Sequence, residues 1–117
     1  MERLGFDAGA AFSPRDDRLH GVTVAPLTGP IASGAPFQAA IFRLEPGGRL
    51  DRHPAHVPQL LAVLEGAGEV SGEDGRTEPI AAGEAVFWRQ GEEHETSSAG
   101  GMTALIVEGE GLEPFRR

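Results

Sequence analysis

Glycine and proline interrupt this 117-residue chain 17 and 9 times, so only short segments remain between turn signals. No window long enough for a sizeable helix keeps a 3.6-residue apolar period. What remains reads as strands, at residues 21–27, 37–44, 59–64, 68–71, 77–80, 85–88, 94–97 and 103–108. Gly72-Glu73-Asp74-Gly75 has the composition of a hairpin turn, and Pro46-Gly47-Gly48 and Ala82-Gly83 read as further breaks. Many short strands with Gly/Pro turns predict an all-β sandwich or barrel.

Several of these strands are apolar on both faces. Gln59, Leu61 and Val63 alternate with Leu60, Ala62 and Leu64; residues 37–44 and 85–88 repeat the pattern. One face suits a barrel interior, and the other requires cover from the N-terminal segment or a second subunit. That requirement, with the hazard of open sheet edges, predicts a homodimer.

Composition removes whole classes of chemistry. The chain has no cysteine, hence no disulfide, thiolate metal site or cysteine nucleophile. It also lacks lysine, so all ten basic residues are arginine and Schiff-base chemistry is excluded. A formal charge of −8 without a basic stripe disfavours nucleic acid and anionic membrane surfaces as partners. No apolar run approaches the ~20 residues of a membrane span. The start, MERLGFDAGAAF, lacks the basic-then-apolar order of a secretion signal. These features predict a cytoplasmic protein, and the Ala/Gly/Arg-rich, lysine-free composition suggests a bacterial source.

The residues fit for chemistry lie just past glycine turns and beside apolar strands. His53 follows Gly47, with His56 and Gln59 after it and Gly66 beyond; His94 follows Gly83 and Gly91. Residues 47–66 read GGRLDRHPAHVPQLLAVLEG and residues 83–98 read GEAVFWRQGEEHETSS. This paired spacing resembles the two motifs of the cupin superfamily, over about residues 37–108. It resembles in particular small single-domain cupins with R-H-P-A in the first motif and G-E-x-H-E in the second. The resemblance implies a jelly-roll β-barrel filling residues 1–117 as one domain. Residues 1–36 would form an N-terminal arm and first strand, 37–108 the barrel core, and 109–117 a tail.

In cupins with the full pattern, two histidines and a glutamate of the first motif and one histidine of the second hold a divalent metal. Carried over by position, His53 matches the first histidine and His94 the last. Gln59 stands at the glutamate position and Ala55 at the second histidine. His56 is one residue late; strand alternation turns it outward unless Pro54 breaks the strand or a bulge at Ala55 and His56 re-aims the ring. Arg89 and Ser98 replace the second motif's proline and asparagine.

The resemblance therefore implies a site of His53, His56, Gln59 and His94 for a divalent transition metal (Fe, Ni, Zn, Mn or Cu), weakened by the missing carboxylate. A bland reading of the same residues is a pocket-lining His53 hydrogen-bonded to Gln59, with His56 at the surface. Three functions stand open: a metal-dependent enzyme of dioxygenase or isomerase type, a metal-free barrel that binds or senses a small molecule, and a structural module. In the first two the partner is a small molecule, apolar with one polar handle, because the inward residues around His53 are mostly apolar.

Overall fold

The computed structural model describes residues 1–116. Seven strands follow in chain order: β1 (Leu19–Pro26), β2 (Phe37–Pro54), β3 (Gln59–Ser71), β4 (Thr77–Ala81), β5 (Ala85–Trp88), β6 (Glu93–Ser98) and β7 (Met102–Gly109). The only helical pieces among the described residues are two three-residue 3₁₀ turns, Ala8–Ala10 and Ile31–Ser33. Every strand pairing is antiparallel, and the strands close into a barrel.

The two long strands organise the rest. β2 pairs along its first half with β7, from Phe37↔Gly109 to Leu44↔Met102, and along its second half with β6. β3 behaves likewise, pairing first with β7 and β5 and then with β6 and β4. One sheet therefore reads β1-β2-β7-β3-β5 and the other β1-β2-β6-β3-β4, with β1, β2 and β3 common to both. A strand that serves two sheets must bend where it changes partner.

Those bends correct the strand boundaries expected from sequence. Pro46-Gly47-Gly48 does not end a strand; it is a corner inside β2, where residues 45–48 face the single Gly21 of β1. Residues 65–67, expected to separate two strands, are the matching corner of β3. There Gly66 adopts φ +79°, and a Cβ at this position would collide with the carbonyl oxygen of Gly101. The turns at residues 72–75 and 82–83 do connect strands, as expected: the Gly75 N–H donates to the Gly72 carbonyl at 3.0 Å.

The double apolar character of β3 resolves as two environments. Leu61 (1% exposed) and Val63 point into the barrel with Trp88, Ala104 and Ile106. Burying Leu61 contributes about 2–3 kcal/mol. Leu60 and Ala62, on the other face, are half-buried, and Leu64 is 48% exposed.

The corner at Gly66 yields a test. Alanine there meets both the left-handed backbone penalty of about 1–2 kcal/mol and the Gly101 carbonyl. Gly75 has φ +74° but open space around it. Gly66→Ala should lower stability by at least about 1 kcal/mol more than Gly75→Ala. Urea midpoints at constant m-value measure this difference.

Candidate functional site

A bulge in β2 sets the site. Leu50 pairs with Thr96 and His53 with His94, so Asp51 and Arg52 together face Glu95. The extra residue shifts the alternation by one, and both Leu50 and His53 line the cavity. The bulge thus lies four residues before Ala55 and His56, the place where one would have re-aimed His56, and it aims His53 instead. β2 ends at Pro54, and His56 follows in a bend, exposed at the cavity rim.

His53 and His94 face each other directly across the β2/β6 ladder, with ring centroids 4.4 Å apart. Each ring is anchored by its own strand. His53 Nδ1 lies 2.6 Å from the Asp51 carbonyl oxygen, and His94 Nδ1 3.1 Å from that of Glu92. A carbonyl only accepts, so each Nδ1 carries a proton, and in the neutral ring the lone pair lies on Nε2. That tautomer is the one a metal or a substrate proton requires.

His94 is 3% exposed and packs on Trp88, with centroids 4.5 Å apart. Trp88 is fixed in turn by its Nε1–H, which donates to the Ser71 carbonyl at 3.2 Å. Burial pushes the His94 imidazole below its ordinary pKa of 6.5, outweighing the hydrogen bond to the Glu92 carbonyl.

Gln59 does not bond to His53. Its Nε2 donates to Glu108 Oε2 at 3.0 Å, from directly across the β3/β7 ladder. Glu108 also lies opposite Gln38 of β2, so a carboxylate sits between two amides on the cavity wall. Sequence reasoning placed Glu108 only at the end of a strand; its signal was its register with Gln59, which spacing alone does not give. Ala55, at the position where the full motif carries a histidine, is 3% exposed and packs in the core. Among the described residues, no group of three or more His, Cys, Asp or Glu is clustered closely enough to hold a metal.

The cavity has a volume of about 470 Å³. Phe42, Leu50 and Ile106 supply apolar wall, and His53, His94, Gln59 and Glu108 supply the polar groups. The N-terminal segment contributes as well. Phe12 bridges to Val24, and Asp16 and Arg18 reach the cavity. The Arg18 guanidinium donates to both Asp16 oxygens at 3.0 and 2.9 Å, lowering the Asp16 pKa to about 2. His20, on β1, pairs with Asp51 at 2.8 Å and is absent from the cavity lining.

The chain is thus a closed antiparallel β-barrel whose cavity is lined by a facing pair of histidines. The cupin domain family model matches residues 40–110, and the chain belongs to that family. Among solved structures, the polyketide cyclase RemF from Streptomyces resistomycificus is 27% identical, with a TM-score of 0.79. That match covers 100% of this chain and 84% of the cyclase. A predicted oxalate decarboxylase from Thermotoga maritima is 23% identical over 92% of this chain and 99% of its own, with a TM-score of 0.74. A Cupin 2 conserved barrel domain protein from Salinispora arenicola is 21% identical over 95% and 90%, also with a TM-score of 0.74. The last two likenesses bear on the fold alone. No curated protein matches the chain in sequence.

The burial of His94 predicts a pH dependence. The folded chain holds the neutral ring, so this contribution to stability is complete above the unfolded value near 6.5. It is lost as pH falls from there through the lowered folded pKa. NMR titration should place the His94 midpoint below 6.5. A His94→Phe variant, which keeps a ring on Trp88, should show a smaller fall in urea midpoint between about pH 7.5 and pH 5.

Proposed function

We propose that this chain takes an apolar, ring-forming small molecule into its barrel and cyclises or isomerises it at a centre held by His53 and His94. The observation that carries this reading is the facing histidine pair, each Nδ1 tied to a backbone carbonyl and each Nε2 left open. The cavity's size falls in the range of small-molecule sites, and its walls are mostly apolar. The likeness to a polyketide cyclase over the whole chain supports the same substrate class.

The donor set fits a weakly held divalent transition metal: two imidazole nitrogens, with the Gln59 carboxamide lining the same cavity. When bound, such an ion polarises a carbonyl or enol oxygen as a Lewis acid. His56, at the rim, is outside this set. The chain's own groups do the rest. Phe42, Leu50 and Ile106 hold the apolar body and exclude water. Gln59 fixes one Glu108 oxygen, and the other takes a proton from the carbon next to the substrate carbonyl and returns it to a second atom. No net oxidation occurs, and cyclisation or isomerisation requires none.

A metal-free binding barrel is the second reading, favoured by the absence, among the described residues, of a third His, Cys, Asp or Glu grouped with the two histidines. Calorimetric titration of metal-free protein with Ni, Zn and ferrous ions separates the two. One ion per chain should bind weakly, with affinity lowered at least ~10-fold in His53→Ala and in His94→Ala and unchanged in His56→Ala. Equal loss in His56→Ala would make His56 a ligand. Binding that survives in the His53→Ala/His94→Ala double variant, or no binding at all, would overturn the metal centre.

A further inference from the structure

Resting on the reading of the cavity as a site for an apolar small molecule, we propose that Gln38 contacts that molecule. Its Nε2 hydrogens donate to a carbonyl oxygen and hold it beside the free oxygen of Glu108. The substrate class narrows accordingly to a neutral carbonyl compound with a hydrogen on the adjacent carbon.

Gln38, Gln59 and Gln90 are the only carboxamide side chains of the chain, which has no asparagine. Gln90 is exposed and outside the cavity lining, whereas the other two line it. The registers set them on either side of one carboxylate: Gln38 of β2 and Gln59 of β3 both lie opposite Glu108 of β7. Gln38 shares its face of β2 with Ala40 and Phe42, which line the same cavity.

Hydrogen bonds decide which end of each amide the cavity meets. The Ile31 N–H donates to Gln38 Oε1 at 3.0 Å. An N–H only donates, so the oxygen of Gln38 is turned to the β1–β2 connection and its Nε2 is the end left over. No hydrogen bond within the described residues uses that Nε2. The neighbouring backbone is held as well: Leu27 N–H donates to the Ala39 carbonyl at 2.9 Å, and Ala39 N–H to Thr28 Oγ1 at 2.9 Å. Gln59 faces the other way, because its Nε2 donates to Glu108 Oε2. The row therefore reads donor, acceptor, acceptor: Gln38 Nε2, Glu108 Oε1, Gln59 Oε1. Capping Ile31 needs only an oxygen, which a carboxylate supplies equally well. What glutamine adds is a pair of N–H donors on a wall otherwise made of acceptors.

A carbonyl oxygen that accepts from Gln38 brings its neighbouring carbon against Glu108. Glu108 Oε1 takes the proton from that carbon, the C–H electron pair becomes the C=C bond, and the C=O pair moves onto oxygen. Gln38 meets the charge that develops there with donors already in place. Return of the proton to a second atom restores neutrality without an oxidant. A carboxylate in the same place would face Glu108 with like charge, and an ammonium would turn hydrogens towards those of Gln38.

A phenol is a stable enol: its oxygen can accept from Gln38 while its O–H donates to Glu108. NMR titration of the nitrogen-labelled chain with toluene, para-cresol and para-toluate tests the assignment on one ring with three substituents. Para-cresol should bind at least ~10-fold more tightly than toluene, and para-toluate more weakly than para-cresol. Para-cresol should also shift the Gln38 side-chain amide resonances downfield beyond any change that toluene produces, with those of Gln90 unmoved. Gln38→Met should weaken para-cresol about 3- to 10-fold and leave toluene within twofold. Should that variant fail to fold by circular dichroism, the Gln38 resonances of the unaltered chain decide, since only three such amides need assignment. A carboxamide that serves only to cap Ile31 predicts equal shifts with para-cresol and toluene. Failure of all three compounds to bind would overturn the cavity reading and the role of Gln38 together. Toluene bound as tightly as para-cresol, Gln38 resonances that do not distinguish them, or para-cresol affinity unchanged in Gln38→Met would overturn the role of Gln38 alone.

Discussion

Backbone hydrogen bonding along β2 and β3 has to be handed from one partner to another partway along each strand. Everything else in the barrel depends on that transfer. Every N–H and C=O inside a sheet needs a partner, and the change from β7 to β6 therefore has to be made within a few residues. The chain makes it with glycines that accept φ values closed to other residues, Gly47 in β2 and Gly66 in β3. The corners close the barrel and enclose the cavity. They also bring the second half of β2 against β6, which is where His53 meets His94.

Much of this was legible in the sequence because its causes are local. Turn chemistry at residues 72–75 and apolar alternation along the first half of β2, β3 and β5 require no knowledge of distant partners. The spacing from Gly47 through His53 to His94 named the pair that the fold brings together. The corners were misread as breaks for a physical reason. Glycine and proline signal a backbone that departs from straight extension, and that signal is the same whether the strand stops or bends and resumes. Only the partner strands distinguish the two.

The bulge at Asp51 and Arg52 escaped for a related reason. Neither residue is a bulge former by type, and the extra residue exists only relative to the six residues of β6. Gln59 shows the opposite limit. Its position in the motif drew it towards the histidines, yet its amide is held by Glu108, forty-nine residues later. A carboxylate thus stands one strand over from where the family pattern would place it. Among the described residues it is not grouped with the imidazoles as a ligand set.

The stacking of Trp88 on His94 has an optical consequence. Trp88 is the chain's single tryptophan, so all indole fluorescence originates 4.5 Å from one of the two site histidines. Charge arriving on that imidazole, as a proton or as a cation, perturbs the excited indole at contact distance. The emission of the native chain therefore follows events in the cavity without a label, and the other six aromatic residues, all phenylalanine, contribute almost nothing at the wavelengths that excite indole.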